Sequence, residues 1–295
     1  MQLRYNKSNW VMEYPVYKRS AQFFITNRCN KNCEACFYAK FRCNKDMDFD
    51  FYKRWVSYQK EFGIDKVILI GGEPTLHQDL ISMILYNQSL GLDTTIYTHG
   101  EFLKSMESDF NGLDLSNVSI RVGVLGFRNH EKQLWKVKTT LPITVVFMYR
   151  QDNITEIEPI IRYSASELNC QGLMVSSIRD IATTNSFWAD TSETIPNEIY
   201  AAYVQRLLDE GLLDLYRNGI KRFHICRRGV IDPPKNSFEV TNCRFINYHV
   251  DGTTTICPFD ISLGIRDGQK DWIPGNRVCN KNHVCLLQKL ILKAV

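Results

Sequence analysis

Residues 22–40 read QFFITNRCNKNCEACFYAK, a short apolar run followed at once by three cysteines. The run Gln22–Thr26 has the aromatic and β-branched composition of a buried strand. Its loop carries Cys29, Cys33 and Cys36, a Cys-x3-Cys-x2-Cys spacing that gathers three thiolates directly after the strand. On a four-iron cluster, three protein ligands leave one iron open to a small molecule. Structural zinc sites more often pair Cys-x2-Cys units and close all four positions. Three buried cysteines with no metal are the plainest alternative. One βα unit later, the strand-like Lys66–Ile70 runs into Gly71-Gly72-Glu73-Pro74. Two glycines let backbone approach a ligand closely, and Glu73 can accept hydrogen bonds from an ammonium group.

Outward from this pair of turns, the chain keeps one rhythm. Strand-like runs recur at Thr94–Thr98, Val118–Val124, Ile143–Tyr149 and Gly172–Ser177. Helical patterns fall between the runs. Phe51, Trp55, Tyr58 and Phe62 predict one helix, with Asp46, Asp48 and Asp50 suited to its N-terminus. Leu80, Ile81, Ile84 and Leu85 predict another, stopping near Gly91 as a C′ residue. Further helices are expected around Glu101–Phe110, His130–Lys138 and Ile154–Ser166. Six strands alternating with helices argue for a parallel α/β sheet, and ligands at carboxyl strand ends favour an open six-stranded barrel over a doubly wound sheet. His99, Ser176, Ser177 and Arg179 fall at such strand ends. A long amphipathic helix is expected over Pro196–Asn218, and the rhythm then changes. Residues Arg244–Pro258 predict a hairpin turning at Asp251-Gly252, and Val284–Leu292 a last helix. The expected division is therefore 1–218 for the βα core and 219–295 for a small cysteine-rich α+β extension.

The formal charge of +4 is small and evenly spread, which argues against a nucleic acid as partner. The first twenty residues carry Arg4, Lys7, Lys18 and Arg19 without a long apolar run, unlike a secretory signal. No stretch approaches the roughly 20 apolar residues of a membrane-spanning helix. A cytoplasmic, reducing setting follows as the expectation. There, ten cysteines, most of them in two groups near the two ends of the chain, point to metal ligation or catalysis before disulfides. Cys43 and Cys170 stand outside both clusters and read as structural.

The cysteine loop and the Gly71-Gly72-Glu73 turn together closely resemble the radical S-adenosylmethionine (SAM) superfamily, over about Phe23 to Ser177. The resemblance implies a partial (β/α)6 TIM-like barrel. It also implies that Cys29, Cys33 and Cys36 hold a [4Fe–4S] cluster and that the Gly71-Gly72-Glu73 segment binds the amino group of SAM. Electron transfer from the reduced cluster would cleave SAM to a 5′-deoxyadenosyl radical, which takes hydrogen from an unactivated carbon. Three positions depart from the family pattern. The usual aromatic before the third cysteine is Ala35, which leaves Phe37 or Tyr38 for the adenine. The third strand ends in Thr98-His99-Gly100 where Thr-Asn-Gly is usual, and Val122-Gly123-Val124 offers no serine on the fourth.

Cys243 and Cys257 bracket the predicted hairpin, with Gly252 five residues before Cys257, and Cys279 and Cys285 follow. This pattern resembles the SPASM and twitch extensions, which implies an auxiliary [4Fe–4S] cluster on Cys243, Cys257, Cys279 and Cys285. Cys226 either replaces one of them or stands as a free thiol at the active site, and a zinc site on the same four is the alternative. The expected enzyme is an oxidoreductase or maturase that oxidises, epimerises or crosslinks a small molecule or short peptide, with flavodoxin or ferredoxin as reductant. Modification of a nucleotide or nucleic acid, and a non-catalytic iron–sulfur or zinc protein, are the rival readings.

Overall fold

The chain's order is set by β3 (Ser20–Thr26), which is buried along its whole length. The computed structural model describes residues 2–6, 9–13, 20–33, 36, 38–124, 137–149, 153–177, 202–203, 206–207, 209–210, 222–225, 238–240, 245–255 and 277–279. Two short strands, β1 (Gln2–Asn6) and β2 (Asn9–Glu13), form an antiparallel pair ahead of β3. After it come α1 (Phe49–Glu61), β4 (Lys66–Gly71), α2 (Leu80–Ser89), β5 (Asp93–Thr98), α3 (Glu107–Phe110), β6 (Val118–Val124), β7 (Ile143–Tyr149), α4 (Ile157–Ser166) and β8 (Cys170–Ser177). The later elements are β9 (Arg222–Ile225), β10 (Phe238–Val240), β11 (Phe245–Tyr248), β12 (Thr254–Thr255) and β13 (Arg277–Cys279).

Among the described residues, one sheet has the order β12-β11-β3-β4-β5-β6-β7-β8-β9. Strands β3 to β8 are the six expected ones, side by side, in chain order and parallel. The architecture is the parallel α/β sheet of a partial barrel. Two further parallel strands come from beyond residue 218: β9 pairs with β8, and β11 pairs with β3. The expected hairpin forms as β11 and β12, with Gly252 at φ +81 in the turn. Strands β10 and β13 pair separately, with Phe238 opposite Cys279.

Alternation along the strands decides which face meets the helices. Ala21, Phe23 and Ile25 of β3 join Val67 and Leu69 of β4, Ile96 of β5, and Tyr52, Val56, Leu80, Met83 and Ile84 of the helices in one core. Phe24 points the other way and, with Tyr38, centres a second small cluster that includes Cys36, Phe41 and Ile70. Asp48 caps α1 by accepting from the Phe51 amide at 2.8 Å. The fully buried face of α1 is Tyr52, Val56 and Gln59; of the aromatic stripe, Phe51 and Trp55 pack partly buried against the same core and Phe62 is exposed. Trp55 also meets Tyr248 of β11, with ring centroids 5.2 Å apart, and Phe51 lies beside Gly252. The stripe serves the hairpin that closes over the helix.

α2 stops as expected, with Gly91 at φ +66. The expected helix over Glu101–Phe110 is mostly turns, and only Glu107–Phe110 is helical. Gly100 at φ +82 opens that segment, and Ser105 Oγ donates to Phe102 O at 2.8 Å, competing for a helical acceptor. Residues 130–136 of another expected helix and the last helix lie outside the described residues. Only 202–203, 206–207 and 209–210 of the long helix are described, and these are helical up to Asp209, with Glu210 in a turn. Among the described residues no helix is long and apolar enough to cross a membrane.

Candidate functional site

The ends of β3, β4 and β5 carry three turns, and backbone hydrogen bonds lock the first two together. The Gly72 amide donates to Thr26 O at 2.8 Å, and the Glu73 amide donates to Arg28 O at 2.7 Å. A Cβ on Gly71 would stand 2.2 Å from Thr26 O, and one on Gly72 would stand 2.1 Å from Arg28 O. The two glycines are thus required by the backbone leading into the cysteine loop, a reason distinct from the ligand approach expected from sequence.

Glu73 ties in the third turn. Its carboxylate is 1% exposed. Oε1 accepts from the Thr75 amide at 3.0 Å, Thr75 Oγ1 at 2.6 Å and Thr98 Oγ1 at 2.6 Å. Oε2 accepts from the His99 amide at 2.9 Å and lies 3.2 Å from His99 Nε2. Protein donors therefore occupy most of the carboxylate that the sequence offered to an ammonium group. A buried, hydrogen-bonded carboxylate of this kind fixes the turns around it.

His99 bridges onward to the cysteine loop. Its Nδ1 accepts from the Glu101 amide at 3.2 Å, so the proton of the neutral ring sits on Nε2, 2.8 Å from Asn30 Oδ1. Burial lowers the pKa of His99, against the pull of Glu73, which keeps the ring neutral at pH 7. Asn30 Nδ2 donates to Glu101 Oε2 at 2.8 Å, and Lys31 Nζ reaches the same oxygen at 2.6 Å. Both residues lie between Cys29 and Cys33, so the loop is clamped to the end of β5.

A second clamp holds the other flank. Arg28 forks onto Asp46, with Nε to Oδ1 at 2.9 Å and Nη2 to Oδ2 at 2.6 Å, and also donates to Leu76 O. Thr26 Oγ1 donates to the same Asp46 Oδ1 at 2.6 Å. Sequence reading missed Asn30, Lys31, Arg28 and Arg42, and gave Asp46 to the N-terminus of α1, whereas it binds Arg28 and Thr26. The signal for most of them was their place inside or beside the cysteine loop.

The three thiols are partly buried. Cys29 Sγ accepts from the Lys31 amide at 3.4 Å, and Cys36 packs on the Phe24–Tyr38 cluster. Burial pushes the Cys29 and Cys33 thiols up, against the opposing charge of Arg42. Among the described residues no three His, Cys, Asp or Glu side chains converge to hold a single metal ion. The donor set nonetheless suits an iron–sulfur cluster: three thiols of one loop, an amide donor to sulfur and a facing guanidinium. Tyr38 is buried, stacks on Phe24 at 4.9 Å and donates to Asn27 Oδ1 at 2.5 Å. The side chains of Phe37, Ser176 and Ser177 lie outside the described residues, as do Arg179, Cys226, Cys243, Cys257 and Cys285. Cys279 is placed by its backbone in β13. Cys170 is buried and donates to Gly172 O at 3.0 Å, a structural place, while Cys43 is exposed beside Asn27.

Residues 23–140 match the model of the Radical SAM superfamily. The chain is 28% identical over 172 residues to the PqqA peptide cyclase of Bradyrhizobium diazoefficiens, covering 52% of this chain and 45% of that protein. It is 31% identical over 110 residues to an S-adenosylmethionine-dependent nucleotide dehydratase of a Thermoplasmatales archaeon, covering 34% and 38%. The matches thus span less than half the length of these two relatives. Streptococcus suis SuiB bound to precursor peptide SuiA superposes with a TM-score of 0.64 at 13% identity, over 84% of this chain and 61% of that one. Native anSMEcpe with bound AdoMet and Kp18Cys peptide gives 0.58 at 14% identity, over 86% and 78%. These two likenesses are of fold.

Proposed function

We propose that the chain is a radical SAM enzyme, a reading supported by the match of residues 23–140 to that superfamily's model, and that it modifies a C–H bond of a short peptide by reductive cleavage of SAM. A [4Fe–4S] cluster with SAM beside it supplies one-electron cleavage of the C5′–S bond and a radical able to take hydrogen from an unactivated carbon. The chain's own residues hold and shape that site. Cys29, Cys33 and Cys36 are the cluster ligands. Gly71, Gly72, Glu73, Thr98 and His99 form the SAM-facing turns, with Phe37 assigned to the adenine. Oε1 of Glu73 is occupied by Thr75 and Thr98, so an ammonium group is assigned to Oε2, beside His99.

The observation that carries this reading is the direct locking of the Gly71-Gly72-Glu73 turn onto the cysteine loop by the Thr26 and Arg28 carbonyls. The peptide class is supported by the 172-residue likeness to a peptide cyclase. The likeness to a nucleotide dehydratase supports a second reading, a nucleotide substrate. The two separate in one anaerobic assay with deuterated substrates. Deuterium carried into 5′-deoxyadenosine from a peptide supports the first reading, and transfer only from a nucleotide would replace it.

The extension 219–295 is proposed to bind an auxiliary [4Fe–4S] cluster through Cys243, Cys257, Cys279 and Cys285, with Cys226 as a hydrogen or proton donor at the active site. A flavodoxin or ferredoxin in the cytoplasm is the proposed reductant. Iron and sulfide analysis should then give about eight irons per chain. About four irons with one zinc would make the extension a structural zinc site instead.

A further inference from the structure

Arg42 stands six residues beyond Cys36, where the cysteine loop turns back toward β3. Its Nη1 donates to Asn32 Oδ1 at 3.2 Å. Asn32 lies between Cys29 and Cys33, so this bond pins the guanidinium against the loop. The other two nitrogens, Nε and Nη2, are buried and reach no nitrogen or oxygen acceptor among the described residues, and the side-chain partner that the guanidinium faces is the Cys36 thiol. Burial works against the charge of the guanidinium, and the thiols of Cys36, Cys29 and Cys33 favour it, Cys36 most. Leaving a buried donor unpaired is costly, and more so on a charged group. Two such donors on one cation, beside three thiols, suit acceptors of low directional demand such as thiolate and sulfide sulfur.

We propose that Arg42 donates charge-assisted hydrogen bonds to sulfurs of the cluster held by Cys29, Cys33 and Cys36, and so raises that cluster's reduction potential. The inference rests on the cluster assignment made above. Reduction adds a negative charge to the cluster. A fixed cation and N–H donors stabilise the reduced form more than the oxidised one. The planar fork of Arg supplies both features, whereas Lys would keep the charge and lose the fork.

The test is an EPR-monitored redox titration of the anaerobically reconstituted full chain, without SAM, in wild type, Arg42→Gln and Arg42→Lys. The signal followed is the one missing from the Cys29→Ala/Cys33→Ala/Cys36→Ala chain and perturbed when SAM is added. Arg42→Gln should lower the reduced-to-oxidised ratio at a fixed potential about tenfold, ~59 mV for a one-electron couple. Arg42→Lys should shift it the same way by less. Wild-type potentials in both variants would overturn the proposal. Should Arg42→Gln fail to assemble a cluster, Arg42→Lys decides alone: a more negative potential supports the proposal, and an unchanged one overturns it. A difference seen only after SAM is added would assign Arg42 to the SAM carboxylate and overturn the sulfur contact. A wild-type chain without that signal would fail at the cluster assignment itself.

Discussion

Gly72 meets the backbone oxygen of Arg28 where any other residue would carry its Cβ, 2.1 Å away. Backbone cannot yield as a side-chain tip can, so Gly72→Ala should cost roughly 3 kcal/mol. Gly91→Ala is the contrast: nothing lies within 4 Å of its added Cβ, and φ is +66. There the cost should be that of a left-handed residue, about 1–2 kcal/mol. Urea midpoints of the two variants compare these directly, and equal losses would contradict the close-approach account. Glu73 makes a second case. Gln at this position puts an NH2 group among donors from Thr75, Thr98 and His99. Glu73→Gln should therefore lose about 3 kcal/mol, and Thr98→Ala about half as much, in the same unfolding assay. Near-wild-type stability of Glu73→Gln would mean that the carboxylate does not organise the turns. The sequence made these residues visible as a motif, because glycine and glutamate in that order are rare enough to notice. It did not reveal that the crowding partner is the chain's own backbone, since Arg28 O lies 44 positions away.

At the scale of elements, the strands that form β3 to β8 were legible because each is a short run rich in apolar and β-branched residues that recurs in a regular rhythm with helical patterns between. The placement of β11 was not. Its hairpin announces itself through Asp251-Gly252, but its parallel pairing with β3 depends on contacts across more than 200 residues. Tyr248 provides them: it stacks on Phe23 at 4.7 Å, and its hydroxyl accepts from Gln59 Nε2 at 2.9 Å. Tyr248→Ala should destabilise by about 4 kcal/mol through the cavity, and Tyr248→Phe by only about 1 kcal/mol through the lost hydrogen bond. If Tyr248→Ala unfolds like wild type, the hairpin does not support the sheet edge. The turn after β5 gives a pH prediction. Burial lowers the folded pKa of His99 below its ordinary value of 6.5. Stability from the neutral ring is then complete above that value and is lost as pH falls through the unfolded pKa. Wild type should lose stability between about pH 7 and pH 5 in part through His99, and His99→Asn should flatten that fall. Parallel stability curves for the two proteins would contradict it.

Across the whole molecule, one arrangement brings the chemistry together. Three neighbouring parallel strands end in the cysteine loop, the Gly71-Gly72-Glu73 turn and the Thr98-His99-Gly100 turn, and hydrogen bonds join each to the next. Chain order alone predicted this meeting, because consecutive βα units deliver successive turns to the same edge of a parallel sheet. What it left out is the set of clamps, Arg28 with Asp46 and Asn30 and Lys31 with Glu101, which are single polar residues in loops without a pattern of their own. The central claim is that these turns form a SAM-cleaving site on Cys29, Cys33 and Cys36. Its most direct test is mass spectrometry for 5′-deoxyadenosine after the anaerobically reconstituted, chemically reduced protein is incubated with SAM. Wild type should form 5′-deoxyadenosine, and the folded Cys29→Ala/Cys33→Ala/Cys36→Ala variant should form none. Equal formation by that variant would contradict the account.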